Sequence, residues 1–195
     1  MRVRRICVFC ASSPGSRPGY VGAARTLGHL LAERGLGLVY GGASVGLMGT
    51  VASAVLEAGG EAVGVIPHLL DGREITHRGL TELHVVASMH ERKKLMFDLS
   101  DGFVSLPGGL GTLEETFEMA TWAQLGLHPH PVGLLDVEGF YQPLVSFLDR
   151  AVEERLLKPE HRAILVVEQE PAALLDRIDA WEPPRVVKWI DGAAT

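Results

Sequence analysis

The sequence predicts an α/β protein with a Rossmann-like, doubly wound and mostly parallel β-sheet that carries helices on both faces. Short apolar segments alternate along the chain with longer amphipathic segments, which is typical of this class. The apolar segments are continuous rather than alternating runs, as expected for strands that are covered on both sides. Three of these segments end in turns rich in glycine or serine. In an open parallel sheet such turns lie along one edge, where ligands bind.

Seven apolar runs are predicted as strands and six amphipathic segments as helices. The first run leads into a turn that contains Ser12, the second ends at Gly41 and Gly42, and the fifth ends at Pro107. The irregular stretch 67–78 is either a mobile lid or a subunit contact. The predicted strands are residues 6–11, 37–40, 62–66, 83–86, 102–106, 132–135 and 164–167. The predicted helices are residues 20–34, 47–58, 89–99, 112–124, 141–154 and 171–180.

Length and composition limit the classes of protein that fit. A chain of 195 residues with 47% hydrophobic and 22% charged residues is expected to form one domain over residues 1–195. The net charge of −6 argues against a nucleic-acid partner, because backbone phosphates require a basic surface. No apolar run is long enough to span a bilayer, so no membrane partner is expected. The basic and then apolar start of the chain is too short for a signal peptide, and a cytoplasmic location is expected by default.

Neither the cysteines nor the histidines predict a metal centre. Cys7 and Cys10 are three residues apart on a predicted strand, so they point to opposite faces and cannot share a metal or readily form a disulfide. We expect both thiols in the core. The eight histidines include no His-Glu-x-x-His pattern, and His128 and His130 flank Pro129 in a predicted turn. The sequence therefore predicts neither a bound metal nor a cofactor.

The turn after the fifth predicted strand is the most informative part of the chain. It reads Pro-Gly-Gly-Leu-Gly-Thr-Leu-Glu-Glu over residues 107–115 and joins a strand to a helix. Glycines allow an anion to approach the backbone closely, and the N–H groups and dipole of a helix start attract a phosphate. A Walker loop is excluded because no Gly-Lys-Ser or Gly-Lys-Thr is present, and the first turn lacks the glycine pattern of nicotinamide sites. We predict a site for another nucleotide-shaped ligand.

Glu115 has two interpretations. With Thr112 as N-cap it would be the third residue of a capping box, which is a structural role. If a phosphate occupies the helix start instead, the carboxylate must point away from it, because two anions in contact repel. Its natural neighbour is then a sugar, whose hydroxyl groups it can bind and orient. Gly108, Gly109 and Gly111 favour the second interpretation.

A second group of candidate residues lies at the start of the third predicted helix. Ser88 and Glu91 match a capping box there. Arg92 follows and shares a helix face with apolar residues three and four positions away. Its side chain either extends along that face to water or enters a pocket. The glycine-rich turn at residues 107–115, called the phosphate turn below, favours a pocket in which the guanidinium holds an oxyanion. Of Lys93 and Lys94, one is predicted near the site and the other in solvent.

In combination these motifs resemble the Lonely guy family, the cytokinin riboside 5′-monophosphate phosphoribohydrolases. The resemblance covers the chain from Val8 to about Glu154. It implies a dimeric, Rossmann-like enzyme that hydrolyses the N-glycosidic bond of N6-substituted AMP to the free base and ribose 5-phosphate. In the family the arginine of the His-Glu-Arg-Lys motif and the last glutamate of the glycine-rich turn are catalytic, which implies Arg92 and Glu115 here. The matching motifs are Val8-Phe9-Cys10-Ala11-Ser12-Ser13, Val39-Tyr40-Gly41-Gly42, Val45-Gly46-Leu47-Met48-Gly49, Gly64-Val65-Ile66-Pro67, Leu80-Thr81-Glu82-Leu83, Met89-His90-Glu91-Arg92-Lys93, residues 107–115 and Thr121-Trp122-Ala123-Gln124-Leu125-Gly126.

The expected ligand is therefore a small nucleotide, AMP or N6-prenylated AMP, bound by a homodimer without metal or cofactor. The chain departs from the family at Ala43, where a glycine is usual, at His130, near a usual lysine, and at Asp136, where an asparagine is usual. The predicted substrate-binding residues are Ser12, Gly41, Gly42, Met89, Arg92, Lys93, Pro107, Gly108, Gly109, Gly111, Thr112 and Glu115.

Three other functions are compatible with parts of the sequence. A non-catalytic nucleotide or molybdenum-cofactor carrier would share the fold and the glycine-rich turns, but it would not require both Arg92 and Glu115. An enzyme for unmodified AMP or a damaged nucleotide would use the same motifs, because the base pocket cannot be read from the sequence. A lysine decarboxylase, a label often given to related sequences, would need a lysine that carries pyridoxal phosphate, and none of the four lysines lies in a convincing cofactor turn.

Overall fold

In the computed structural model, which describes residues 3–71 and 76–183, seven strands form one sheet with helices packed on both faces. The strands are β1 (Arg5–Phe9), β2 (Gly37–Tyr40), β3 (Ala62–Pro67), β4 (Glu82–Val86), β5 (Gly102–Ser105), β6 (Val132–Leu135) and β7 (Leu165–Glu168). The helices are α1 (Pro18–Glu33), α2 (Gly46–Glu57), α3 (Met89–Asp98), α4 (Leu110–Gln124), α5 (Gln142–Glu153), α6 (Pro159–Arg162) and α7 (Pro171–Asp179), with a 3-10 turn at Val137–Gly139.

The sheet is parallel throughout its described strands, in the order β4-β3-β2-β1-β5-β6-β7. Strands β2, β3 and β4 extend from one side of β1, and strands β5, β6 and β7 extend from the other. The strand order therefore reverses between β1 and β5, where Val8 lies beside Val104. The carboxyl ends of these two strands border a crevice, which is where open α/β sheets bind ligands.

Each face of the sheet buries its own apolar core. One core lies under α1, α2 and α7 and includes Leu27, whereas the other lies under α3, α4 and α5 and includes Phe103. Cys10 belongs to the first core and Cys7 to the second, and both are buried and free. The prediction that these thiols occupy opposite faces of the sheet is confirmed.

The predicted fold class and the seven strands are confirmed. The differences concern the ends of elements, two short helical segments and the exposure of one strand. Strand β1 ends at Phe9, because the chain then leaves the sheet. The short α6 and the 3-10 turn are missing from the prediction, since fewer than five residues carry no readable helical period. Strand β4 is a partly exposed edge strand rather than a fully covered one. Within residues 3–71 and 76–183, no helix has both the length and the apolar character needed to cross a bilayer.

The stretch 67–78 is attached to the second glycine-rich turn where the structure describes it. The backbone N–H of His77 donates to the carbonyl of Gly42 at 2.9 Å, and Thr76 forms an antiparallel bridge with Ala43. Residues 72–75 lie outside the described part of the chain. The two interpretations of this stretch, a lid or a subunit contact, stay predictions.

Candidate active site

A cavity of about 620 Å³ opens at the carboxyl ends of β1, β2, β3 and β5, beside the reversal of strand order. Its walls come from residues 11–13 after β1, from the turn after β2 and from residues 109–112 at the start of α4. Arg92 of α3 and Glu115 of α4 close one side. The three turns that the sequence marks as unusual therefore meet around one space, as expected for a nucleotide-sized ligand.

Backbone hydrogen bonds join these three turns at the end of β1. The N–H of Ala11 donates to the carbonyl of Pro107 at 3.2 Å, and the carbonyl of Ala11 accepts from Leu47 at 3.1 Å. Gly46 has a positive φ of 60° and lies so close to the Ser12 backbone that a Cβ would approach its carbonyl carbon to 2.3 Å. Only glycine meets both demands. The cavity is thus bordered by backbone that is fixed before any ligand arrives.

The start of α4 has the form of an anion site. The helix begins at Leu110 with Gly109 as N-cap, and no side chain caps it. The first N–H groups of a helix have no partner within the helix, so those of α4 are available to a ligand. A Cβ added to Gly109 or to Gly111 would meet no atom within 4 Å, which leaves room for an anion beside the backbone.

The capping-box interpretation of Thr112 and Glu115 is wrong, because Gly109 and not Thr112 is the N-cap. Thr112 lies inside the first turn, and its hydroxyl packs against Gly108, where a Cβ would be 2.0 Å from it. The other predicted capping box is present in part at α3, with Ser88 as N-cap and the carboxylate of Glu91 bonded one residue before it. Ser88 Oγ accepts from the N–H of Glu91 at 3.1 Å, and the Glu91 carboxylate accepts from the N–H of Ala87 at 2.7 Å.

An ion pair between Arg92 and Glu115 lies in the wall of the cavity. Arg92 Nη1 donates to Glu115 Oε1 at 3.0 Å, and the two side chains are only 12% and 11% exposed. Arg92 Nε also donates to the carbonyl of Val65 in β3 at 3.1 Å. A largely desolvated pair of this kind adds little stability over apolar residues of the same volume. Its location at the ligand cavity therefore points to a role in binding or chemistry.

Burial raises the pKa of Glu115 above the usual value for a glutamate. The Arg92 guanidinium opposes this rise, and the nearby Glu114 carboxylate adds to it. The net direction brings the pKa of the carboxylate closer to neutrality. A carboxylate of this kind holds a proton more readily than a solvated one and is better suited to accept one from water.

Gly41 supports the Arg92 guanidinium. A Cβ at this position would lie 2.2 Å from Arg92 Nη2 and 3.0 Å from Met48 Sδ. Glycine leaves the space that the guanidinium occupies beside the backbone, and the φ angle of Gly41 is not positive. The sequence marks Gly41 and Gly42 as ligand-binding candidates, and the structure adds this specific reason for the first of them.

The two lysines after Arg92 lie away from the cavity wall. Lys93 Nζ contacts Glu114 at 2.5 Å and Glu118 at 3.1 Å, and its side chain is 12% exposed. Burial alone would lower the pKa of Lys93, but the two carboxylates outweigh that effect and raise it. Lys94 is exposed and pairs with Asp98. Lys93 therefore links α3 to α4 by ion pairs next to Arg92.

The histidines give no metal site among the residues that the structure describes. His128 Nε2 lies 2.9 Å from the carbonyl of Met119 in the core, and burial lowers the pKa of His128 to about 4. The His130 ring stacks on it at 5.3 Å. Both residues have structural roles.

A second cavity, of about 680 Å³, lies at the opposite end of the sheet. Three of the charged side chains in its wall, those of Arg5, Glu61 and Asp101, already have partners. Arg5 pairs with Glu61 at 2.5 Å, and Asp101 accepts hydrogen bonds from the backbone N–H groups of Arg4 and Arg5. It also lies at the amino ends of the strands, where open sheets do not present their ligand-binding turns. The first cavity is the better candidate on chemical grounds.

The structure divides the twelve predicted substrate-binding residues into two groups. The residues that line the cavity are Ser12, Gly41, Arg92, Gly109, Gly111, Thr112 and Glu115. The residues that do not line it are Gly42, Met89, Lys93, Pro107 and Gly108, of which Met89 is 48% exposed.

Apolar residues complete the cavity and are missing from the prediction. Met48, Ile66, Leu70 and Met96 line the space together with Val45. An apolar residue in a wall is indistinguishable in sequence from one in the core, so no signal separates them. Together they provide a surface suited to a planar base.

The fold and the site define a class of protein, the nucleotide-binding proteins with an open α/β sheet. In this chain an arginine–glutamate ion pair lies where the strand order reverses. Residues 48–178 match the family described as "Possible lysine decarboxylase". The chain is 52% identical over 182 residues to a probable cytokinin riboside 5′-monophosphate phosphoribohydrolase of Oryza sativa subsp. japonica, covering 93% of this chain and 73% of that protein. It is 50% identical to a cytokinin riboside 5′-monophosphate phosphoribohydrolase of Arabidopsis thaliana, covering 93% and 84%. The chain belongs to this phosphoribohydrolase family, the Lonely guy family.

Solved structures of lower identity share the fold. The molybdenum cofactor binding protein of Rippkaea orientalis superposes with a TM-score of 0.69 at 22% identity, covering 92% of this chain and 98% of that one. The molybdenum cofactor carrier protein of Chlamydomonas reinhardtii gives 0.69 at 21% identity, covering 92% and 100%. At these identities the likeness concerns architecture alone.

Proposed function

We propose that the protein hydrolyses the N-glycosidic bond of adenosine 5′-monophosphates, with N6-substituted forms as the preferred class, and releases the free base and ribose 5-phosphate. The observation that carries this proposal is the buried Arg92–Glu115 pair in the same cavity as the uncapped start of α4. The Arg92–Glu115 pair can act on a sugar, and the N–H groups at the start of α4 can hold a phosphate. The names of the family relatives support the same reaction.

The proposed chemistry follows from the charges that develop when the bond breaks. The ribose becomes positive and oxocarbenium-like, and the departing base takes the electron pair. The Glu115 carboxylate stabilises the positive sugar and accepts a proton from the attacking water. The water oxygen bonds to the anomeric carbon as the C–N bond breaks. The base leaves with that electron pair and takes up one proton from solvent, and Glu115 releases the proton of the water to solvent. Arg92, held by the Val65 carbonyl, keeps Glu115 in one orientation before substrate binds.

The phosphate is proposed to bind at residues 109–112, with Ser12 and the Gly41 turn nearby. It contributes binding energy far from the bond that breaks, and that energy holds the sugar against Glu115. A carboxylate in the second turn of α4 is one helical turn beyond Gly111 and Thr112 on the same helix face. This spacing separates the acid from the phosphate by the length of a sugar.

Incubation with AMP, isopentenyl-AMP and adenosine tests the proposal directly. Free base and ribose 5-phosphate are measured in each reaction. We expect hydrolysis of both nucleotides and faster release from isopentenyl-AMP, because the cavity wall offers apolar side chains to an N6 substituent. Binding of a nucleotide with no release of base would favour a carrier and contradict the proposed hydrolase.

Gly41→Ala is expected to lower kcat/KM for AMP by about 100-fold, because the added methyl group displaces the Arg92 guanidinium from its contact with Glu115. The matched control is Gly22→Ala in α1, where a Cβ would meet nothing within 4 Å. That control should keep full activity and become slightly more stable. Equal activity of the two variants would refute the role assigned to Gly41.

We also propose that the chain acts as a homodimer and in the cytoplasm. Leu110 and Met89 are 87% and 48% exposed at the first turns of α4 and α3, beside the cavity, and a partner subunit would cover them. Sedimentation equilibrium should give twice the 21.0 kDa mass of the chain. A monomer at micromolar concentration would contradict the dimer, and recovery with membranes on cell fractionation would contradict the location.

A further inference from the structure

Tyr141 connects the phosphate turn to a second part of the chain that the sequence motifs do not mark. Its side chain is buried, and its hydroxyl donates to the carbonyl of Leu106 at 2.7 Å. Leu106 is the last residue before the Pro107 turn, and its own N–H donates to the carbonyl of Phe9 at 3.0 Å. The Tyr141 hydroxyl therefore acts at the point where the chain leaves the sheet toward α4.

Tyr141 is itself held by a fully buried carboxylate. Asp136 Oδ1 accepts from the Tyr141 N–H at 2.6 Å, and Oδ2 accepts from Gln142 Nε2 at 2.5 Å. The N–H of Asp136 donates to the carbonyl of Glu168 in β7 at 2.8 Å. A buried carboxylate with two charge-assisted hydrogen bonds fixes its partners firmly. The position of the tyrosine ring is thus set by the sheet.

The same segment also contacts the start of α1, which follows the first turn of the cavity. Glu138 adopts a positive φ of 53°, which is uncommon for a residue other than glycine, and its carboxylate pairs with Arg17 at 3.2 Å. Phe140 packs edge-on against Tyr20 of α1 at 5.7 Å. Residues 136–142 therefore connect the chain after β1 to the chain after β5, and these two turns border the cavity.

We infer that Tyr141 is a positioning residue for the phosphate subsite, an inference that rests on the proposed function. Its hydroxyl holds the Leu106 carbonyl and so sets where the Pro107–Gly108–Gly109 turn and the first N–H groups of α4 lie. It contacts neither the cavity nor Glu115, so its effect reaches the ligand only through the backbone. An anion held by several N–H groups is sensitive to a small displacement of all of them together.

A second buried tyrosine provides a matched control. Tyr40 at the end of β2 is fully buried, and its hydroxyl has no hydrogen-bond partner among the residues that the structure describes. Tyr40→Phe and Tyr141→Phe each remove one buried hydroxyl and keep the ring. Only the second change removes a hydrogen bond to the chain that leads into the phosphate turn.

Steady-state kinetics of the two variants test the inference. Tyr141→Phe should raise KM for AMP about three- to tenfold, because the displaced N–H groups lose up to one hydrogen bond's worth of contact with the phosphate, with kcat changed less than about twofold. Inhibition by ribose 5-phosphate should weaken by the same factor, and the residual turnover of adenosine should not change. Tyr40→Phe should match the wild type in every constant. A merely structural role would lower the amount of active enzyme and leave KM unaltered.

Calorimetric titration with AMP separates this inference from the proposed reaction, since it needs no turnover. Weaker AMP binding to Tyr141→Phe than to wild type and Tyr40→Phe supports the inference, even if no base is released. An unchanged dissociation constant, or an equal change in Tyr40→Phe, overturns it, even if the wild type hydrolyses AMP. Melting curves of both variants confirm that folded protein is compared.

Discussion

Glu115→Gln is expected to lower kcat for AMP hydrolysis by about 100- to 10,000-fold, the usual contribution of a positioned acid or base. The amide keeps the size of the side chain and can still accept from Arg92, but it neither takes a proton nor balances a positive sugar. The dissociation constant for AMP should change only a few-fold, because the phosphate is bound elsewhere. Single-turnover kinetics and calorimetry measure the two effects separately.

Glu114→Gln is the matched control for that change. Glu114 is the preceding residue of the same helix, its side chain is 57% exposed, and it pairs with Lys93 outside the cavity. This control should retain most of the wild-type kcat. If Glu115→Gln retained half of the activity, or if both variants lost it equally, the assignment of the catalytic carboxylate would be wrong.

Removal of the phosphate from the substrate should have the second large effect. We expect kcat/KM for adenosine to be about 10²- to 10⁴-fold below that for AMP, because two charge-assisted hydrogen bonds of about 1.5–3 kcal/mol each are lost. The base and the scissile bond are the same in both compounds, so the comparison isolates the start of α4. Release of adenine is measured for both at substrate concentrations far below KM.

A substitution such as Gly109→Pro would change the helix start itself as well as the phosphate contact. The comparison therefore varies the substrate and leaves the protein unchanged. Added ribose 5-phosphate should inhibit AMP hydrolysis competitively, since it carries the proposed anchor without the base. Equal turnover of AMP and adenosine would contradict a phosphate site at residues 109–112.

Much of the fold could be predicted because the sequence carries its signals locally. Apolar runs of four to six residues mark the strands, and the turns after β1, β2 and β5 carry glycine or serine because the backbone there approaches a ligand or another turn. The start of α4 was harder to place. Thr112 and Glu115 match a capping box in sequence, yet the helix extends two residues further toward Gly109, since the glycine turn itself begins the helix.

The sequence predicts the polar and glycine residues of the candidate site but not its apolar residues or the contacts between distant residues. Arg92 and Glu115 are separated by 23 residues, and only the packing of α3 against α4 brings them within 3.0 Å. The requirement for glycine at Gly41 depends on that long-range packing, so no local pattern announces it. Tyr141 presents the same difficulty, because a tyrosine bonded to a carbonyl 35 residues away resembles any buried aromatic residue in sequence.

A crystal structure of the Glu115→Gln variant with AMP tests the central claim most directly. We predict the phosphate on the backbone N–H groups of residues 109–112 and the anomeric carbon within about 3–4 Å of the residue 115 side chain. A nucleotide bound with its phosphate away from the start of α4, or with its ribose turned away from residue 115, would contradict the claim.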